Sequence, residues 1–396
     1  MSEDGGRVGR ARRAAVRAAT AARSVEEFFD VVMTALAPLL PFDIWAGVTV
    51  DPATLMNTGG NYRNAVPESL MPRMLDIEYR EGDVNLLPDL ARRPSPVGLL
   101  SREAGDLLAH SPRYQDIVRP LGYRDELRVA LRDRHGVWGA LVLGRERDAP
   151  AFDDTDLATA ATLAQPLGDA LRRLQVTRQA WRPPSPSAPG LLLLDVGYQV
   201  LHRSPTAGLW LDELLGGDRA PLGERRTGLP PALCAVAAAV RAPAAAGGSF
   251  TSWAHTRTLG PARLHAWSLS EGHGRSRAAD RDGSTEREGA ADRERAVVAV
   301  AIESARPEER ASFLVTAYGL TPRERTVTEL VLRGHSTAEI SRLTRVSPHT
   351  VQDHLKAVFD KTGVRSRRDL VATLFARHYR PALGQDTDAS AAGPGA

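Results

Sequence analysis

Cysteine is all but missing from this chain of 396 residues: the single one, Cys234, excludes a disulfide framework and any cysteine-clustered metal site. Leu233, Val236 and Val240 around it point to a small buried apolar residue. No apolar run approaches the ~18 residues that span a bilayer, so no membrane partner is expected. The Arg- and Ala-rich first 24 residues lack the apolar stretch of a secretory signal. A cytoplasmic protein is expected, with residues 1–20 as a disordered or helical arm. The signatures of chemistry are missing too. No G-x-x-x-x-G-K-[ST], H-E-x-x-H or G-x-S-x-G occurs, and no strand-ending acidic pair of a phospho-receiver stands near the N-terminus. Paired acids such as Asp153-Asp154 sit at a helix start, where capping explains them. The sequence predicts no enzyme, no cofactor and no metal. Lysine is scarcer still relative to arginine: Lys356 and Lys361 stand against 49 arginines. The Arg-, Ala- and Gly-heavy composition suggests a GC-rich coding sequence in which Lys gives way to Arg. Two lysines kept in one short segment suggest that a compact, flexible ammonium is wanted there.

That segment belongs to the most informative stretch, Leu320 to Phe375. A Ser or Thr stands three residues ahead of an acid at Thr321/Glu324, Ser336/Glu339 and Ser366/Asp369, the reciprocal arrangement that opens a helix. Pro322 takes the favoured first helical position, and Ser347-Pro348 marks a further start. Gly334 and Gly363 fall where left-handed residues end helices. The spacing predicts four short helices, the second and third joined by the tight turn Thr344-Arg345-Val346. On the third, from about Pro348 to Thr362, a period near 100° per residue gathers Val351, Leu355, Val358, Phe359 and Thr362 on one side. His349, Gln352, Asp353, Lys356 and Asp360 gather on the other, with Thr350, His354 and Lys361 on the flanks. A helix of this kind, held across a turn by a preceding short helix, is how a helix-turn-helix reads the major groove.

The residues here resemble the C-terminal helix-turn-helix of the LuxR-type transcription regulators. The resemblance rests on LTPRE at 320–324, the glycine at 334, S-x-x-E-I at 336–340, VS-x-x-TV at 346–351, HL at 354–355 and K-x-G-V-x-S-R at 361–367. It covers about 55 of 396 residues. It implies a domain at 319–380 that binds double-stranded DNA, as a homodimer on two half-sites, and works with RNA polymerase. The base-facing positions are then His349, Gln352, Asp353 and Lys356. Ser347, Thr350, His354, Lys361 and Arg365 face the DNA backbone. The family often carries Lys where Gln352 stands, so its base preference does not transfer. The ATPase module of the large LuxR-type regulators is missing, as the absent phosphate-binding loop requires. Charge agrees: residues 319–380 hold 12 Lys plus Arg and 6 Asp plus Glu, a net +6, so with the whole chain at +3 the remainder is −3. A basic domain beside an acidic remainder is the electrostatic footprint of phosphate binding.

Upstream, the order of elements predicts two α+β sensory domains ahead of this all-α four-helix unit. Val25, Phe28, Phe29, Val32 and Leu36 mark an amphipathic helix that Pro41 closes. A strand follows at 44–50, then a proline-interrupted stretch with helix signals near 67–80, 98–109 and 112–118. Strands at 127–132 and 137–145 flank the turn Asp133-Arg134-His135-Gly136. A capped helix then starts at Asp153, runs to about Leu174, and should kink or break at Pro166. GVWGALVLGRE at 136–146 with FDDTDL at 152–157 resembles the end of a GAF domain, here 21–176. Such domains can bind small molecules, haem or chromophores, or bind nothing and only dimerise. No chromophore-attaching cysteine is present, and His135, in a turn, reads as solvated. After a linker at 177–189, strands and helices over 190–304 resemble a PAS-like domain, with Ser204 where the family often has Asn. A low-apolar run at 272–295 reads as a disordered insertion, 305–318 as a connecting helix and 381–396 as a disordered tail. The N-terminal domains thus serve dimerisation and either sense a small-molecule effector or, alternatively, bind a partner protein as ligand-free scaffold modules. Deleting residues 273–294 should leave the melting temperature and DNA affinity nearly unchanged, because the run has almost nothing apolar to bury; a large drop in melting temperature would show that it belongs to a core.

Overall fold

The computed structural model describes residues 2–62, 66–178, 188–214, 229–243, 248–269, 297–305 and 317–371. The expected linker, insertion, connecting helix and tail lie almost wholly outside these residues.

The N-terminal residues form a helix, α1 (Ser2–Ala21), followed by α2 (Val25–Leu36). The Ser24 hydroxyl caps α2 by accepting the Glu27 N–H. The described part of α1 is more than an arm: Ala15 and Ala19 are buried in the same core as Phe28, Phe29, Val32 and Leu36. Strand β1 (Ile44–Val50) pairs with β2 (Asn57–Asn61), a strand that no sequence alternation announced. The proline-interrupted stretch holds the short helices α3 (Met71–Asp76), α4 (Leu87–Arg92) and α5 (Leu100–Ala104), the three-residue strand β3 (Val97–Leu99), and π turns at Ile77–Glu81 and Tyr114–Val118. The hairpin β4 (Tyr123–Asp133) and β5 (Gly136–Glu146) follows, then α6 (Asp154–Arg178). The sheet is antiparallel with order β2-β1-β5-β4-β3. Pro166 does not break α6: Leu163, Ala164, Leu167 and Leu171 on both sides of it are buried, and that packing outweighs one lost backbone hydrogen bond.

Alternation along the strands divides the sheet into two faces. Leu127, Val129, Leu131, Leu141 and Leu143 pack on α1, α2 and α6. There β1 comes so close to α2 that a Cβ on Gly47 would lie 2.1 Å from the Phe29 ring. Ala46, Val48, Glu126, Arg128 and Val142 face the other way, toward α3 and the π turns. The two motifs quoted for the end of this domain meet at Arg145. Its guanidinium sits 4.0 Å from the centre of the Phe152 ring, pairs with Asp156 at 2.9 Å, and donates to the Pro41 and Ala151 carbonyls. Asp153 and Asp156 cap α6 reciprocally, as the spacing predicts.

A second antiparallel sheet contains β6 (Gly190–Leu194), β7 (Val200–Arg203), β8 (Ser249–Ala254), β9 (Ala262–Leu269) and β10 (Val297–Ser304), in the order β7-β6-β10-β9-β8. Counted within each domain, both sheets run 2-1-5-4-3. Helices α7 (Pro205–Leu214) and α8 (Pro231–Arg241) cover one face. Ser204 binds locally: its hydroxyl accepts the N–H of Leu191 and that of Ala207, tying β6 to the start of α7. Cys234 is fully buried on α8, and burial pushes its thiol up to about 12. The two domains share a core in which Met56, Met71 and Leu75 of the first pack with α8 of the second, and His255 N–H donates to the Thr58 carbonyl of β2 at 2.8 Å.

Asp133, in the β4–β5 turn, gathers several donors. Its Oδ1 accepts from the backbone N–H of His135 and Gly136 and from Trp138 Nε1; its Oδ2 accepts from Arg172 Nε at 2.7 Å. Burial alone would raise this carboxyl, but these bonds outweigh it and hold it below the ordinary value. Arg172 Nη1 reaches on to the Ala317 carbonyl at 2.7 Å. His135 is half-buried rather than solvated, because Gly319, at φ +64°, lies against its ring; a Cβ there would overlap the imidazole. Asp133→Ala should cost about 2–4 kcal/mol, by leaving the Trp138 and turn N–H donors without their acceptor and taking from Arg172 one of its two carboxylate partners, Asp169 being the other. Because the folded-state carboxyl is depressed, its contribution is present above the unfolded value near 3.8 and fades as pH falls through the folded one. Denaturant melts of the full chain at several pH values measure both.

Candidate nucleic-acid interface

The C-terminal unit is built from helix caps. Helix α9 (Pro322–Leu332) opens on Thr321, whose hydroxyl accepts the Glu324 N–H while Glu324 Oε2 accepts the Thr321 N–H at 2.8 Å. Helix α10 (Thr337–Thr344) repeats the device with Ser336 and Glu339. Helix α11 (Pro348–Thr362) starts on Ser347, which accepts the Thr350 N–H, and ends on Gly363 at φ +72°. A fourth helix begins after Ser366, which caps it by accepting the Asp369 N–H, a one-way bond where a reciprocal pair was predicted. Arg367 donates to the His335 carbonyl and fastens this helix to the turn after α9. Buried Val327, Val331, Ile340, Val351, Leu355, Val358 and Leu370 form one core.

Between α10 and α11 the chain turns on Arg345, a non-glycine residue in the left-handed region at φ 57°, ψ 38°. The Ser341 hydroxyl donates to the Val346 carbonyl at 2.6 Å and closes the turn. The sequence located this turn but gave no signal for the strained residue, since Arg has no local preference for that conformation.

The polar face of α11 is where the spacing predicts it. His349, Gln352, Asp353 and Lys356 are all exposed, on the side away from Val351, Leu355 and Val358. His349 Nδ1 lies 3.1 Å from Asp353 Oδ2, one helical turn away. Its own backbone carbonyl and then Asp353 raise the imidazole above its ordinary value. Ser347 and Arg365 are exposed, though the Ser347 hydroxyl is engaged in capping and pairs with the Thr350 hydroxyl at 2.9 Å. Thr350 and His354 are half-buried.

Lys361, expected to face the DNA backbone, is engaged within the domain. Its ammonium lies 2.5 Å from Glu324 Oε2, with the Lys side chain 26% exposed and the Glu side chain 8%. The ion pair closes α11 onto the start of α9, and leaves Lys356 as the lysine that projects from the face. Burial alone would raise the Glu324 carboxyl, but Lys361 and the Thr321 N–H outweigh it and hold it below its ordinary value. The contribution of Glu324 is therefore present above about 4.5 and lost as pH falls through the lowered folded-state value. Lys361→Met should cost about 1–2 kcal/mol at neutral pH, discounted for partial exposure. Acid unfolding of this domain should then begin at higher pH, a shift that circular dichroism melts resolve.

Residues 319–374 match the family described as bacterial regulatory proteins, luxR family, and residues 24–171 match the GAF domain. Over 52 residues the chain is 50% identical to proteins named as HTH-type transcriptional regulators of Mycobacterium bovis and Mycobacterium tuberculosis. That stretch is 13% of this chain and spans only 6% of the length of either relative. Among solved structures, the Vibrio cholerae VqmA dimer without target DNA aligns at 16% identity over 48% of this chain and 83% of its own, with a TM-score of 0.18. A VqmA–ligand–DNA complex aligns at 17% identity over the same shares, with a TM-score of 0.21. Both likenesses are too slight to support an argument. The chain therefore carries a LuxR-type helix-turn-helix domain at 319–374 and a GAF domain at 24–171.

Proposed function

We propose that this protein is a sequence-specific transcription regulator that lays α11 in the major groove of double-stranded DNA. The observation that supports this most is the exposed set His349, Gln352, Asp353 and Lys356 on one side of a helix whose other side is the core of its domain. Gln352 suits bidentate pairing with adenine, Asp353 accepts from the cytosine amino group, and Lys356 reaches guanine or a phosphate. Thr350, His354 and Arg365 lie toward the backbone, and Ser347 orients the helix start. The reading assigns no catalysis to the chain. It takes residues 190–304 as a PAS-like domain, on the strength of the 2-1-5-4-3 sheet and the helices packed on one face of it. It takes the chain as a homodimer on two half-sites, working in the cytoplasm with RNA polymerase, its N-terminal domains supplying dimerisation and a response to an effector. Among the described residues no helix is long and apolar enough to cross a membrane.

Binding-site selection with the full chain at fixed salt tests the reading. Gln352→Ala and Asp353→Ala should each relax preference at one base position, a loss of about 1–3 kcal/mol of discrimination for each good contact. Asp353→Ala should also raise non-specific affinity, since it removes a negative charge facing phosphates. Lys356→Ala should weaken binding and lower the salt slope by about one unit if it meets phosphate. Affinity should strengthen as pH falls through the raised His349 value, because the cation exists below it, and His349→Asn should abolish that dependence. If Gln352→Ala and Asp353→Ala keep the wild-type site preference, α11 is not the reading helix.

A further inference from the structure

Between the sheet and the α3 side of the GAF domain lies a cavity of about 60 Å³, several times the space that one ordered water requires. Ala46, Val48 and Val142 line it below, and Leu75, Tyr79 and Ile117 above. One end is charged. Glu78 Oε2 accepts from Arg113 Nη2 at 2.8 Å and from Arg128 Nη1 at 2.9 Å, and Glu78 Oε1 accepts the Leu87 N–H. Glu126 lies opposite: its Oε1 is 3.7 Å from Arg113 Nε and 3.7 Å from Arg128 Nε, within reach as an ion pair but too far to hydrogen-bond. All three atoms are buried without a hydrogen-bond partner. The side chains involved are 1% exposed for Arg113 and 9% for Arg128 and Glu126. Arg113, Arg128 and Glu126 line the cavity, and two N–H donors and one carboxylate oxygen among them have no hydrogen-bond partner. Such groups carry a cost of about 1–3 kcal/mol each unless something fills the gap.

The other polar groups of the wall are already engaged. Tyr79 accepts the Asn57 N–H, Tyr62 accepts from the Asn57 side chain and donates to the Gly59 carbonyl, and Asp125 is bonded by Ser101 and by the Glu126 N–H. Apart from Asp125, which Ser101 and the Glu126 N–H hold, the ion-paired cluster of Arg113, Arg128, Glu78 and Glu126 has two guanidinium groups and two carboxylates, a net charge of zero. An anion there would face Glu126 and Glu78; a cation would face both arginines. Neither gains enough to offset leaving water. A neutral group that accepts from the Nε–H donors and donates to Glu126 satisfies all three atoms at once.

We propose that this cavity binds a small uncharged molecule with an apolar body and one hydroxyl or amide group, held by Arg113, Arg128 and Glu126. The inference deepens the effector side of the proposed function by naming the ligand class. It is read without DNA, so its failure and a failure of DNA reading are separate results.

The test uses four probes with the same branched body: isobutanol, isobutyramide, isobutyrate and isobutylammonium. Each is titrated onto the full chain by saturation-transfer NMR. The two neutral probes should saturate at concentrations at least about ten-fold below the two charged ones, a difference of about 1.4 kcal/mol. Ala140→Leu, which fills the floor, should abolish binding of all four. Glu126→Gln leaves the cluster at +1 and should move the preference toward isobutyrate by about ten-fold or more, a reversal that loosened packing alone would not produce. If no neutral probe saturates, the gap holds ordered water only and the proposal is overturned. It is equally overturned if charged and neutral probes bind alike, or if Ala140→Leu remains folded and leaves binding unchanged. Should either variant fail to fold, the ranking on the wild-type chain decides by itself.

Discussion

A period of two along β4 and β5 sets what each side of the first domain can be. Because successive side chains point to opposite faces, Leu127, Val129 and Leu131 go to the helical side, while Glu126 and Arg128, which alternate with them, go to the cavity side. The register is pinned by long pairing, with Leu127 opposite Leu143 and Arg128 opposite Val142. A slip by one residue would drive Glu126 and Arg128 into the core against α6 and bring leucines to the charged end of the cavity. The dry face and the polar face are thus one constraint seen from two sides. Beyond a shift in the pairing between Leu131 and Arg132, Asp133 holds the turn of the hairpin and keeps Arg172 within reach of the Ala317 carbonyl.

The DNA-binding unit solves a different problem. Its helices are short, and isolated helices of such length are marginal in water. Two reciprocal caps, a third one-sided cap on Ser347 and the left-handed Gly363 satisfy terminal groups that would otherwise be open. Glu324 serves twice, as the returning arm of the first cap and as the partner of Lys361. A charge that might have gone to a ligand is spent inside the domain, where it locks the far end of α11. The face toward solvent is consequently free to be polar for its own reasons, and the His349–Asp353 pair there has no packing to serve.

Local signals in the sequence were legible where they were also decisive. Thr321/Glu324 and Ser336/Glu339 predict their caps because each uses atoms only a few residues apart, and β1, β4 and β5 fall within a few residues of their predicted spans. The misses share a cause. Strand β2 reads NTGGN and shows no apolar alternation; it exists because β1 needs a partner and because His255 of the second domain closes its outer edge. Helix α1 looks like a loose arm until Ala15 and Ala19 are seen to fit a core made by residues far along the chain. Lys361 and Glu324 are 37 positions apart, so neither residue alone announces the pair. The unpartnered atoms of Arg113, Arg128 and Glu126 are likewise invisible in one dimension: each reads as an ordinary surface charge until the fold buries it.

How the N-terminal domains could speak to each other follows from what covers the cavity. Leu75 belongs both to the cavity wall and to the core that the first domain shares with α8. The next residue, Asp76, accepts a hydrogen bond from the Tyr198 hydroxyl of the second domain and pairs with Arg80. Tyr198 in turn lies under the Arg241 guanidinium, at the C-terminal end of α8. An occupant that pressed on Leu75 would therefore change contacts on both sides of the interdomain core with no intermediate to cross. A ligand shifts a population only through contacts that differ between states. Here the differing contacts would be those of α3 with α8. The opposite end of the first domain reaches the DNA-binding unit by another route, through Asp133, Arg172 and the fit of Gly319 against His135. Both routes touch β4: Arg128, at the charged end of the cavity, and Asp133, at the turn that meets the DNA-binding unit, stand on one strand on either side of the pairing irregularity between Leu131 and Arg132.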